Sequence, residues 1–334
     1  MEGTVRGKIQ KITPGDAQQF RNVCVFPLFS DLRPPIEHLV LKEAIEKGFI
    51  TIAEVSEGGH VPELKVTNDA DRPVLILDGE ELFGAKQNRV LNTTVLLRKK
   101  SITVIPVSCT EQGRWAYHSK TFSESGIIMS PEIRRVKNRS VQASLRSYNE
   151  FRSDQGAVWD GISEQASFAS VNSPTHAMRD THEEMKEDIR DYAGHFPCLE
   201  HQQGILVAIG GKIIGLDMVS CKSAYAQLHD KLMKSYAMDA ILKGNGKEIS
   251  ADKADAVQFI DAISECEESR YKSVGHGWDV RFEGRNAFGS ALEYRGGLVH
   301  CAFFSPPENT STRDDGRMYG YERRAAFRNR RKDK

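Results

Sequence analysis

The chain has no apolar run approaching the ~20 residues that a membrane-spanning helix needs, and its opening, MEGTVRGKIQ, lacks the apolar core of a signal peptide. No membrane partner and a cytoplasmic location are the expectation. Net charge is absent as well, because 46 Lys and Arg balance 46 Asp and Glu. No global field therefore draws nucleic acid or anionic lipid, and any such binding must come from a local patch. The six cysteines, Cys24, Cys109, Cys198, Cys221, Cys266 and Cys301, form no C-x-x-C pair. In a 334-residue chain, too large to need disulfide staples, they read as reduced and mostly buried thiols. There is no G-x-S-x-G, no dinucleotide fingerprint of glycines opening a helix, and no internal repeat. What remains is an ordinary globular composition, 39% hydrophobic and 28% charged, which excludes a mainly disordered or fibrous chain.

The first third reads as strands at 22–28, 49–55, 63–67, 73–77, 90–97 and 102–109, short and rich in Val, Ile and Thr. One helix at 36–47 interrupts them, with Leu41, Ala44 and Ile45 on one face and Gly48 at its end. From 119 to 172 the periodicity weakens into an irregular connector with short helices. A helix follows, capped by Ser173, lined by Met178, Met185, Ile189 and Tyr192 and stopped by Gly194. In GILVAIGGKIIGLDMVS, 204–220, Gly210 and Gly211 suit a tight hairpin turn. Helices at 223–243, capped by Ser223, and 251–266, capped by Ser250 with Val257, Ile260 and Ile263 inward, lead to strands at 278–283, 287–294 and 298–304, the last two joined across Gly296 and Gly297.

Strands, helices and strands thus come in blocks, which predicts an α+β fold. It comprises an N-terminal antiparallel β-sandwich or barrel, an irregular helical connector, and C-terminal β-hairpins with packed helices. The divisions expected are 1–120, a β-rich domain carrying the polar signature; 121–198, the helical connector; 199–305, an α+β region packed on the first; and 306–334, a basic, disordered tail with seven basic residues from Arg323 to Lys334.

The densest polar stretch is LDGEELFGAKQNRVLNTT, 77–94, followed after one strand by SCTEQGRW, 108–115. Glu80, Glu81 and Glu111 are the candidate catalytic carboxylates; Asp78, Lys86, Gln87, Asn88, Arg89, Gln112, Arg114 and Trp115 are the candidate ligand contacts. Carboxylates offer acid–base chemistry, Arg and Lys an anion site, and an indole a stacking surface. The competing reading is a turn at Asp78 and Gly79 with solvated glutamates and locally paired arginines.

These segments, ILDGEELFGAKQNRVLNTTVLL and IPVSCTEQGRW, with VFPLF at 25–29 and GLDMV at 215–219, resemble the ARG and rhodanese-phosphatase-superfamily-associated protein family. Its name records genomic association with ADP-ribosylglycohydrolases and phosphatase-like proteins. The resemblance implies a part in ADP-ribose, NAD or related nucleotide metabolism. It is an uncharacterised family, so no catalytic residue set or cofactor comes with it.

Other patterns compete. His195, Cys198 and His201 have zinc-ligand residue types in H-x-x-C-x-x-H but lack a fourth ligand, and no metal site is assigned. His176 and His182, six apart, share no helix face and read as solvated. Asp217 reads as a cap for the turn before the next helix, or as a side chain projecting at a strand end. Cys109 has only His118 nearby as a general-base partner.

Two functions are expected from this: binding or processing of an ADP-ribose-like, phosphoribosyl or nucleotide ligand, or a non-catalytic interaction module using the acidic helix or basic tail. Nucleic-acid binding would rest on that tail and on Arg134, Arg135, Lys137 and Arg139.

Overall fold

In ITIAE at 50–54 and ELKVTN at 63–68 every second side chain is buried, as a strand with one face on a core requires. These two strands, Ile50–Glu54 and Glu63–Asn68, close into a six-stranded antiparallel barrel with Glu80–Gly84, Arg89–Leu91, Ser101–Cys109 and Phe122–Ile128. Of the two expected N-terminal forms, the barrel is the one found. Ile52, Leu64, Val66, Leu82, Leu91, Ile105, Val107 and Phe122 fill its interior. The computed structural model describes residues 4–56, 62–244 and 250–307; the basic stretch from 308 onward lies outside them.

A nine-stranded antiparallel sheet forms the second unit and draws on both ends of the chain: Val23–Phe29 lies beside Gly204–Ile209, which turns at Gly210 and Gly211 into Lys212–Val219. Both turn glycines have positive φ, +58° and +77°, a conformation that residues with a Cβ rarely adopt. Beyond Lys212–Val219 follow Gly297–Phe304, Phe288–Tyr294, Trp278–Glu283 and Glu267–Lys272. Helix Lys222–Leu242 covers one face; helices Val5–Ile9 and Lys253–Ser264 cover the other. A three-stranded sheet, Leu39–Val40, Val74–Ile76 and Val95–Leu97, completes the α+β architecture.

The expected connector instead holds the helices Pro131–Tyr148 and Gln155–Phe168. The first was hidden because its buried face carries Arg134, Lys137, Asn138 and Gln142 among Ile133, Val141 and Leu145, so no apolar stripe marks it. The helix expected from Ser173 is two, Met178–Glu184 and Lys186–Gly194, meeting at Met185. Ser223 does not cap its helix, whose N-cap position is Cys221; Asp252 rather than Ser250 caps Lys253–Ser264, in a reciprocal box with Asp255. Val257 faces solvent, while Ala256, Phe259, Ile260 and Ile263 pack inward. The last hairpin turns on Arg295 and Gly296, both at positive φ, one residue earlier than expected.

Helix Pro131–Tyr148 lies between barrel and sheet and brings cations into a closed interior. Arg134 makes a bidentate pair with Asp217 (2.8 and 3.0 Å), and Tyr236 donates to the same carboxylate (2.8 Å). Lys137 pairs with Asp78, and Arg281 with Asp279 (2.5 Å), which also accepts from Thr93. Three cations thus face three carboxylates, all buried, and each charge has a partner of opposite sign. Asp217 therefore neither caps a turn nor projects at a strand end; it sits mid-strand under Arg134. Arg134 and Lys137 present no surface to nucleic acid.

Candidate functional site

Six strands present an end or a neighbouring pair at one rim of the barrel. Glu54 ends its strand opposite Leu64; Arg89 begins its strand between Leu82 and Cys109; Gly84 pairs with Phe122. Arg89 shares the inward register of Leu91, Cys109 that of Val107, and Glu54 that of Ile52. A buried guanidinium, thiol and carboxylate consequently meet at the end of an otherwise apolar bore.

Arg89 is 0% exposed. Its Nη1 donates to Gln87 Oε1 (2.9 Å) and contacts Cys109 Sγ (3.0 Å). Among the described residues its Nε and Nη2 have no hydrogen-bond partner, and neither does either carboxylate oxygen of Glu54, whose Oε1 is 3.9 Å from Arg89 Nη2. Unspent buried polar groups are costly, which makes this pair the most conspicuous feature of the bore. Above it Trp115, 48% exposed, places its ring 5.7 Å from the Arg89 guanidinium carbon. Lys86 Nζ stands 5.3 Å from that ring and 5.0 Å from Tyr117's.

Arg114 braces the rim. It holds Glu111 through two bonds (2.9 and 2.6 Å) and also donates to Ala85 O (2.8 Å), Ala116 O (3.0 Å) and Asn88 Oδ1 (3.1 Å). Burial pushes the Glu111 carboxyl up, but the hydrogen bonds from Arg114, Thr175 and the Asn88 backbone, with the Arg114 charge, together hold it below its ordinary value. Asn88 donates its backbone N–H to Glu111 (3.3 Å), and Gln112 is exposed with its carbonyl 3.5 Å from Gln87 Nε2. Lys86, Gln87, Asn88, Arg89, Glu111, Gln112, Arg114 and Trp115 are thus brought together at one end.

Asp78, Glu80 and Glu81 are not. Asp78 lies in the buried network with Lys137. Glu80 is at the far end of its strand, where its oxygens accept from Lys231 (2.5 Å) and Leu77 N (2.6 Å). Glu81 points outward through the barrel wall and accepts from Thr110 Oγ1 (2.8 Å). Its complete burial pushes its pKa up to about 7, so near neutrality it is partly protonated. With Glu80 and Glu111 held by cations, no carboxylate among the three faces the bore as a free base.

Cys109 does not pair with His118. Its thiol is buried and raised in pKa by that burial, against the Arg89 charge, and His118 packs on Phe83. His195 stacks on Phe20 (3.5 Å), and among the described residues no three His, Cys, Asp or Glu side chains converge to hold a metal. His182 is buried rather than solvated, and burial lowers its pKa to about 4.

Residues 11–304 match the family described as ARG and Rhodanese-Phosphatase-superfamily-associated Protein domain. The chain belongs to this family. No curated protein and no solved structure matches it. The family match spans barrel, connecting helices and sheet together, so the rim is framed by the family domain as a whole. No described helix is long and apolar enough to cross a membrane.

Glu54 and Tyr117 were missed by sequence reasoning. For Glu54 a signal existed: in Ile50-Thr51-Ile52-Ala53-Glu54 the period-two pattern puts a carboxylate where a third apolar residue belongs.

Proposed function

We propose that this protein is a cytoplasmic ligand-binding protein whose barrel rim takes a nucleotide-like, ADP-ribose-related molecule. The observation that carries the reading is the buried Arg89 guanidinium, with two nitrogens unspent among the described residues, lying beneath a half-exposed Trp115. An aromatic ring can stack on Trp115 or Tyr117, and the Lys86 ammonium beside both rings supplies a positive charge there. Glu111 and Arg114 offset each other, as Glu54 and Arg89 do in charge, so the unspent hydrogen-bonding capacity of Arg89 and Glu54 is what sets the rim apart. The family's genomic company with ADP-ribosylglycohydrolases points to the same class.

The geometry supports binding rather than acid–base chemistry, because Glu80 and Glu111 are each held by a cation and Glu81 lies on the outer wall. A ligand that binds only the folded chain, at a hundred times its dissociation constant, adds about 2.7 kcal/mol and visibly raises the melting temperature. Millimolar ADP-ribose, NAD and AMP are expected to do so for the native chain and far less for Trp115→Ala. No shift with any of the three refutes the reading.

A further inference from the structure

Among the described residues Arg89 and Glu54 are each other's ion-pair partners at the bottom of the rim, yet at 3.9 Å they do not hydrogen-bond. Arg89 keeps two nitrogens that can only donate, and Glu54 two oxygens that accept, all without hydrogen-bond partners among the described residues. The chemical complement of such a pair is neither a phosphate nor an ammonium group. A phosphate lowered onto Arg89 meets the Glu54 carboxylate beside it, and an ammonium drawn to Glu54 meets the guanidinium; in a buried setting either repulsion is strong. A group that both accepts and donates along one edge satisfies both partners and brings no charge.

Resting on the proposed binding at this rim, we infer that the Arg89–Glu54 pair reads the uncharged donor–acceptor edge of a planar group, a nucleobase or a carboxamide, which enters first while the phosphates stay outside with Lys86. Planarity follows from the rim: Trp115 and Tyr117 flank the entrance, and the indole already lies over the guanidinium. Trp115 is half exposed already, so swinging it aside takes little further surface out of contact. Lys86 Nζ lies over both rings, and a phosphate following the base would come to rest on its side of them.

The orientation separates ligands that the proposed function alone treats alike. Adenosine and nicotinamide carry the edge without phosphate; inorganic pyrophosphate and ribose 5-phosphate carry phosphate without the planar edge. By isothermal titration on the full chain, adenosine or nicotinamide is expected to bind with an affinity that changes little between low and high salt. ADP-ribose should bind tighter, and its advantage should shrink as salt rises. Pyrophosphate should fail to compete with adenosine. Glu54→Gln, which keeps the shape but loses the charged acceptor, should weaken adenosine or nicotinamide about tenfold or more, while its unliganded melting curve reports whether it folds. Should that variant not fold, the competition in the native chain decides alone.

Pyrophosphate displacing ADP-ribose while adenosine and nicotinamide do not bind overturns the inference and leaves rim binding standing, since the phosphate is then what Arg89 takes. Equal affinity of adenosine for the native chain and a folded Glu54→Gln also overturns it. Failure of every probe, ADP-ribose included, removes the rim reading and this one with it. Adenosine and nicotinamide in separate titrations distinguish the base from the carboxamide as the source of the edge.

Discussion

Glu81 makes stability depend on pH in a direction opposite to ordinary carboxylates. Its side chain is wholly buried on the outer wall of the barrel, one oxygen bonded to Thr110 and the other without a partner among the described residues. Burial raises its pKa from 4.5 to about 7, so across that window the folded chain holds a proton that the unfolded chain has released. The resulting stabilisation is full below pH 4.5, falls as pH rises, and is gone above about 7. Two and a half units correspond to about 3 kcal/mol. Asp239, raised by burial to about 6, acts in the same sense at lower pH, whereas His182, lowered to about 4, loses stability as pH falls below its ordinary 6.5. The raw profile of the native chain therefore mixes several groups, since the pKa values of His38 and His229 are also lowered by burial and that of Glu111 is lowered by its hydrogen bonds. Glu81→Gln isolates one, since glutamine mimics the protonated acid in shape and keeps the oxygen that Thr110 needs. Urea unfolding near pH 5 and pH 8 should show the native chain losing about 2–3 kcal/mol relative to the variant between the two conditions, so that the variant is the more stable at the higher pH. A difference that stays constant across this range refutes the assignment of a protonated, buried Glu81.

Asp217→Asn leaves Arg134 wholly buried, with Asp78 at 3.9 Å as its remaining acid, and should cost about 3–5 kcal/mol in urea unfolding; a loss below about 1 kcal/mol would show that the network is not closed to water. Asp252→Ala removes one half of the reciprocal cap on Lys253–Ser264 and should cost about 1 kcal/mol in the same assay, whereas Ser250→Ala should cost little. Val257→Lys should change stability by no more than about 0.5 kcal/mol, because the side chain faces solvent. With iodoacetamide at neutral pH, the exposed Cys198 should be alkylated first and Cys109 only on unfolding; rapid modification of Cys109 in the folded chain would show an accessible thiolate at the rim.

The strands that alternate or run apolar were legible. ITIAE, VFPLF and the paired glycines at 210 and 211 carry their structure locally, because each buries an apolar face or needs a positive φ that glycine supplies. Helix Pro131–Tyr148 was not legible, and the reason is energetic. Its inner face is acceptable only because Asp217 and Asp78 arrive from elsewhere, 83 and 59 residues away, to neutralise Arg134 and Lys137. No local pattern can announce a partner at that separation. The strand Glu80–Gly84 was hidden for the same reason: its two glutamates look solvated until Lys231 and Thr110 are set beside them.

The same logic limited the reading of the site. Composition correctly marked 77–115 as rich in acids and bases, but it could not say which charges cancel. Arg114, the residue most inviting as an anion ligand in CTEQGRW, is consumed by Glu111 three positions earlier and by the carbonyls of Ala85 and Ala116. Arg89 looks no different in the sequence, yet the barrel turns it inward, where its intended partner is not adjacent in the chain but is the last residue of a strand begun 39 residues before it. An acid and a base that pair at short range brace a loop, whereas a pair held at 3.9 Å with four polar atoms unspent among the described residues is one the fold has kept apart. The distinction lies in the closing of the barrel, and only register converts a charged segment into a brace at one position and a binding group at another.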